Sequence, residues 1–103
     1  VQDETARHFL ALDVDGQPVG TVRLLPSGQI SRLSVLQPFR SQGVGKALLG
    51  FVELMARSAG MKEVFLHAQT HATSFYEAAG FITNGGIFME ADIPHRQMAK
   101  ELL

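Results

Sequence analysis

Arg40-Ser-Gln-Gly-Val-Gly-Lys46 lies between two segments of different hydrophobic period, and that change of period decides the fold. Before it, Gln29 to Leu36 carries Ile30, Leu33 and Val35 in a mostly apolar run, which predicts a strand buried on at least one face. After Pro38 the apolar residues Val44, Ala47, Leu48, Phe51, Val52, Met55 and Ala59 recur at spacings of three and four, which predicts an amphipathic helix with Gly60 as its C-terminal cap. The stretch is therefore the loop and first turn where a strand hands over to a helix. Unpaired N–H groups of a first helical turn, together with the helix dipole, make an anion site. Gly43 and Gly45 let a phosphate approach the backbone without meeting a Cβ, and Arg40 and Lys46 add positive charge. Polyphosphate is the natural guest.

Spacing argues against two other phosphate loops. A P-loop needs G-x-x-x-x-G-K-[ST], whereas here the glycines stand two apart and Ala47 takes the place of the magnesium-binding hydroxyl. The dinucleotide fingerprint G-x-G-x-x-G requires a third glycine where the chain has Leu48. Neither ATP or GTP nor a nicotinamide cofactor is favoured. On its own, the glycine pair also admits a plain tight turn.

Working outward, His8 to Val14 reads as a strand, Asp15-Gly16-Gln17-Pro18 as a turn, and Val19 to Leu25 as the partner strand. A break at Pro26-Ser27-Gly28 leads into Gln29 to Leu36, so three strands form an antiparallel meander. Beyond the helix, Glu63 to Ala68 is a short strand. Reaching it through a helix makes a β-α-β crossover, with the two flanking strands parallel. His71 to Ala79 predicts a shorter helix stopped by Gly80, and Phe81 restarts extended structure. From Gly86 to Ile93 the residues alternate, with Phe88, Glu90 and Asp92 on one face; Pro94 breaks the strand, and Arg96 to Leu103 forms either another strand or a frayed end. The order β-β-β-α-β-α-β describes an α/β domain on a mixed sheet, its central crossover carrying the phosphate loop.

Composition sets the outer bounds. The 103 residues, 46% of them hydrophobic, build one core and leave no room for a second domain of ordinary size. Nine Lys plus Arg against ten Asp plus Glu give a net charge of -1, so no broad basic field draws the chain to nucleic acid or to an anionic membrane. The absence of cysteine removes disulfides, thiolate nucleophiles and Cys-based zinc sites together. His8 and His67 have no spacing that makes a metal site, and we expect none. With no apolar run of membrane-spanning length and no signal-like start, we expect a cytoplasmic protein.

Two signatures then agree. Arg40-x-x-Gly43-x-Gly45 resembles the [QR]-x-x-G-x-[GA] motif of the GNAT N-acetyltransferase superfamily, and it follows a strand ending Leu33-Ser-Val35, as in that family. About thirty residues on, Phe75-Tyr-Glu-Ala-Ala-Gly-Phe81 resembles the family's second signature, a helix with a Tyr before Gly-Phe. Leu66-His-Ala-Gln-Thr-His71, with Asp92-Ile-Pro-His95 and Met98, is further similar to a bacterial subgroup, the ElaA/YjcF-like acetyltransferases. The likeness runs from about Ala6 to Met98. Family members begin with another strand and one or two helices on the acceptor side, so the resemblance predicts a single acetyl-CoA-binding domain, residues 1–103, that is N-terminally incomplete relative to the family.

The resemblance implies a mechanism. Pantetheine lies along Leu33, Ser34 and Val35, where that strand spreads apart from the strand after the helix, and acts like an added strand; a main-chain N–H near Val35 polarises the acetyl carbonyl, and the pyrophosphate rests on Ser41, Gln42, Gly43, Val44, Gly45 and Lys46 beside Arg40. Gln69 stands where many relatives have an Asn that contacts the cofactor; a strand-end cap is the plain alternative. An acceptor amine attacks the thioester directly. Tyr76 is the candidate general acid for the departing thiolate. A Tyr near 10 and a thiol near 8.5 put full proton donation about 2 kcal/mol uphill, so a strong hydrogen bond is the competing role, and a core aromatic the structural one. A Lys-like amine needs a base or a water relay; Glu90, Asp92, His71 and His95 are the candidates, against solvated carboxylates and structural histidines. The partners are acetyl-CoA and an amine acceptor whose identity is open, and a homodimer is compatible with the sequence. A coenzyme A-binding module without turnover and a nucleotide-phosphate binder are the rival functions.

Overall fold

The computed structural model describes residues 6–103. Strands β1 (Arg7–Leu12), β2 (Pro18–Leu24) and β3 (Ile30–Val35) form the antiparallel meander in the order β1-β2-β3. The first turn is closed by Asp13, whose Oδ1 accepts the N–H groups of Asp15 and Gln17, both at 2.9 Å. Helix α1 (Val44–Ser58) follows, then β4 (Glu63–Gln69), a short 3-10 turn and α2 (Thr73–Ala78), and finally β5 (Ile82–Glu90) and β6 (Ile93–Glu101). The last three strands make a second antiparallel sheet in the order β4-β6-β5. Among the described residues no helix is long and apolar enough to cross a membrane.

Both helices end as their glycines dictate. Gly60 and Gly80 adopt φ of 84° and 97°, which an L side chain rarely tolerates. Met61 then donates to the Ala56 carbonyl and Phe81 to the Tyr76 carbonyl, each at 3.0 Å, the double closure of a Schellman cap. The second cap buries Phe81 and holds Tyr76 against it. The core lies where α1 covers the sheets: Leu48, Leu49, Val52 and Ala56 pack on Val22, Leu24, Ile30, Val64, Leu66 and Met98. Each such Leu or Val contributes roughly 1.5–3 kcal/mol when fully buried. Gly20 lets α1 close in, since a Cβ there would stand 2.9 Å from Leu48 Cδ1.

One sequence expectation changes. Pro94 does not break a strand. Ala91 and Asp92, both in the left-handed region with φ of 52° and 62°, form a tight hairpin turn, and Pro94 sits inside β6, opposite Met89. The proline is tolerated because pairing with β4 begins only at His95↔Gln69, so its missing N–H faces no partner strand. Arg96 to Leu103 is accordingly strand for most of its length, giving β-β-β-α-β-α-β-β, and Asp92 belongs to the turn rather than sharing a strand face with Glu90. As the resemblance implied, the crossover strands β3 and β4 run parallel and spread apart: they meet at a single bridge, Gln29↔Phe65, where Phe65 N–H donates to the Gly28 carbonyl at 3.1 Å. Beyond it they diverge, and the mixed sheet is split into two. That divergence opens the site.

Candidate functional site

β3 is irregular just where it leaves β4. Its register with β2 shifts between Thr21 and Arg23, and Arg32 has a φ of 56°, the marks of a bulge that turns the strand. At the end of β3, Leu36 N–H donates to the Val19 carbonyl at 2.9 Å. Because amides alternate along a strand, Val35 turns its own N–H and C=O the opposite way, towards the gap. Arg40 follows the carbonyl: its Nε donates to Val35 O at 2.9 Å and ties the loop to the strand end.

The loop delivers the helix start that the sequence demanded. Gly43 caps α1 in the left-handed conformation, φ 84° and ψ 5°, and Ser41 is also left-handed at φ 63°. No side chain of the described residues caps this terminus, and its first turn contains no acidic residue. The leading N–H groups are left to the gap, where the dipole favours negative charge.

Between the diverging strands lies a groove of about 760 Å³. Leu33, Ser34 and Val35 form one wall, Arg40, Ser41, Gly43, Gly45 and Lys46 the head, and Gln69, Tyr76 and His95 the opposite side. Gln42 and Val44 do not line it: Gln42 Nε2 turns back to the Pro38 carbonyl at 3.1 Å, and Val44 packs against the core. Phe75 of α2 closes the space beside the loop, within 3.5 Å of where a Gly45 Cβ would lie.

Tyr76 is half-buried, edge-on to Phe75 at 5.0 Å and to Phe81 at 6.0 Å. Burial raises its phenol above the ordinary value, because the phenolate would lose solvation. At neutral pH the hydroxyl is a firm hydrogen-bond donor, and complete proton release costs more than the ~2 kcal/mol expected from reference values. Gln69 is oriented by His71, whose Nε2 meets its Oε1 at 2.6 Å; with that oxygen accepting, the amide NH2 remains for the groove.

The candidate bases separate. Asp92 lies exposed in the hairpin turn. Glu90 is not on the groove wall, but it stands beside two residues that are. His95 is buried, stacked on Phe88 at 5.9 Å, with Nδ1 2.7 Å from the Ile93 carbonyl. A carbonyl only accepts, so Nδ1 carries the proton and neutral His95 keeps its lone pair on Nε2, 3.9 Å from Glu90 Oε2. His67, which also lines the groove, places Nδ1 3.0 Å from Glu90 Oε1. Metal-ligand spacing had set His67 aside. The alternation of β4 held the missing signal: Val64, Leu66 and Ala68 are buried, so His67 shares the other face with Phe65 and Gln69. Among the described residues no group of His, Asp and Glu is arranged to hold a metal ion.

Sequence comparison now meets this geometry, for the acetyltransferase (GNAT) domain model matches residues 1–102. The chain belongs to the GNAT family. YyaT of Bacillus subtilis is 35% identical over 102 residues, 96% of this chain and 68% of YyaT. Escherichia coli ElaA is 33% identical over 104 residues, and its crystal structure superposes with a TM-score of 0.80 at 32% identity, covering 93% of this chain and 68% of ElaA. The structure of an aminoglycoside 6'-N-acetyltransferase complexed with coenzyme A matches with a TM-score of 0.83 over 96% of this chain and 74% of the enzyme; at 19% identity it shows the shared fold. This GNAT chain spans about two thirds of the length of the curated relatives it matches.

Proposed function

We propose that the chain is a single acetyl-CoA-binding domain that transfers acetyl from acetyl-CoA to a primary amine by direct attack on the thioester. The observation that carries this reading is the uncapped start of α1 opening, past Gly43 and Gly45, into a groove that Tyr76 and His95 also line. Membership of the GNAT family and the fold shared with a coenzyme A complex support it.

In this reading the pyrophosphate takes the N–H groups of residues 41 to 46, with Lys46 and Arg40 adding charge. Pantetheine lies along β3 and uses the main chain that has no strand partner there, as an extended peptide would at a sheet edge. The Val35 N–H, directed into the gap, meets the acetyl oxygen and stabilises the charge that develops on it. Gln69 donates its amide to the cofactor. Tyr76 donates a hydrogen bond to the departing thiolate, the role that its raised pKa favours over full proton transfer. His95 Nε2 removes the proton from the acceptor ammonium, with the Glu90 carboxylate 3.9 Å from that nitrogen.

Acetyl-CoA offered with a panel of primary amines, with free thiol monitored, tests the reading. Amine-dependent thiol release is the expected result. Calorimetric binding of acetyl-CoA without thiol release across the panel would make the chain a coenzyme A-binding module. A rise in melting temperature with ATP but not with coenzyme A would make it a nucleotide-phosphate binder.

A further inference from the structure

His67 lines the groove and meets Glu90, the carboxylate that stands beside His95. Glu90 stands near the end of β5, a strand at the edge of its sheet, and its side chain is half exposed. An unrestrained carboxylate there would sample several rotamers, and only some face His95. His67 Nδ1 removes that freedom with a 3.0 Å contact to Oε1. A carboxylate only accepts, so Nδ1 carries the proton. The His67 ring is itself fixed, edge-on to Phe88 at 5.1 Å and tilted against Phe65 at 6.3 Å. Phe88 in turn stacks on His95, so one phenyl ring packs against both imidazoles and the carboxylate lies between them. With Oε1 held, Oε2 stands 3.9 Å from His95 Nε2. That separation is too long for a direct hydrogen bond, and it is short enough for one nitrogen about 2.8 Å from each atom to bridge them.

We propose that His67 is a positioning residue: it holds Glu90 so that Glu90 Oε2 and His95 Nε2 together receive the acceptor amine, the first binding the ammonium and the second taking its proton. The proposal rests on the acetyl-transfer reading above. The steps balance. R–NH3+ gives one proton to His95 Nε2, and the freed lone pair forms the N–C bond. The C–S bond breaks with its electron pair leaving on sulfur. The second nitrogen proton ends on the thiolate, and the proton on His95 returns to solvent.

Asparagine places its amide nitrogen near the position of histidine Nδ1, whereas leucine keeps the volume and loses the donor. In the full chain, His67→Leu should lower kcat by roughly tenfold, a fraction of the roughly 10²–10⁴ that a general base supplies. The KM for acetyl-CoA should stay unchanged. His67→Asn should restore most of the rate, which a merely structural role would not produce. An unaltered kcat in His67→Leu, or no recovery in His67→Asn, overturns the proposal. A second measurement does not need turnover. Long-range proton–nitrogen NMR of the imidazoles should show His67 protonated at Nδ1 in the wild type, and Glu90→Gln should shift its ring nitrogens. A His67 protonated only at Nε2, or indifferent to Glu90→Gln, refutes the contact even if no amine in the panel is acetylated. Absence of thiol release with this signature intact would instead sink the acetyl-transfer reading.

Discussion

Replacing Gly45 separates helix stability from the proposed phosphate binding, because the two should respond in opposite directions. Gly45 lies in the first turn of α1 and is not in the left-handed region. An added Cβ would meet Phe75 Cζ at 3.5 Å and Val35 Cγ2 at 3.8 Å, ordinary van der Waals contacts. Gly45→Ala therefore fits without strain and lowers the entropy of the unfolded chain. Glycine inside a helix costs roughly 0.5–1 kcal/mol relative to alanine, and less in the first turn, so about 0.5 kcal/mol is expected. For a domain of this size that is about 2–4 °C in Tm. The same methyl group meets the groove residues Phe75 and Val35, where in the proposed function a phosphate oxygen approaches the amide. Losing one charge-assisted hydrogen bond of roughly 1.5–3 kcal/mol raises the Kd for acetyl-CoA by about 10- to 100-fold. Gly45→Glu adds charge to bulk: one pair of like charges about 5 Å apart costs about 3 kcal/mol at an effective dielectric near 20, so binding should vanish from calorimetry. Thermal melts without ligand and calorimetric titration with acetyl-CoA decide the matter. A Gly45→Ala chain that melts higher and binds as tightly as wild type refutes the loop as the phosphate site. So does a folded Gly45→Glu chain with unchanged affinity.

Tyr76 is the chain's single tyrosine and there is no tryptophan, so near-ultraviolet phenolate absorbance follows it alone. Its raised pKa predicts ionisation above the free-tyrosine value near 10. The folded state disfavours the phenolate, so this contribution to stability is intact below that value and is lost as pH rises through the folded pKa; Tyr76→Phe should flatten that part of the profile, and a wild-type titration at or below 10 contradicts the burial argument. The same variant should slow acetyl transfer while leaving acetyl-CoA affinity nearly unchanged, and an unaltered rate leaves Tyr76 as core alone. Lys100 Nζ bonds buried Glu53 Oε1 at 2.8 Å and the Ala79 carbonyl at 2.7 Å, so Lys100→Met should cost about 3–5 kcal/mol in urea denaturation, and adding Glu53→Leu should recover part of it. Gly28→Ala at the apex of the groove puts a Cβ 2.9 Å from the Glu63 carbonyl oxygen at a φ of +92°; at least 1–2 kcal/mol of backbone strain should appear as a lower Tm, and an unchanged Tm would show that the apex yields.

The elements were legible because each rests on a local rule. Spacings of three and four located α1 to within a residue of its end, and Gly60 and Gly80 stopped both helices where left-handed caps are required. The glycine loop between β3 and α1 was legible for the same reason: a strand, two glycines and a helix start are contiguous, so their juxtaposition needs no knowledge of the rest of the chain. Pro94 misled because a proline is judged by what its N–H would have met. Here that depends on β4 ending at Gln69, a fact of tertiary pairing.

The groove itself could not be read from periodicity, since it consists of hydrogen bonds that two parallel strands do not make. A β-α-β crossover calls for adjacent parallel strands, and a continuous ladder is the default outcome. The departure depends on residues that carry no apolar signal: a bulge with Arg32 in a left-handed conformation, and Arg40 held to the Val35 carbonyl where a strand neighbour would otherwise bond. The histidines illustrate the same limit at the scale of side chains. His67 and His95 stand 28 positions apart, too far for any spacing rule, and they converge on Glu90 because β6 lies between β4 and β5. Swapping that strand order would leave every local pattern in place and still disperse the cluster. Sequence pattern thus identifies the loop and helix start proposed to hold phosphate, whose parts are neighbours along the chain, whereas the cluster proposed to face the amine exists only through sheet order.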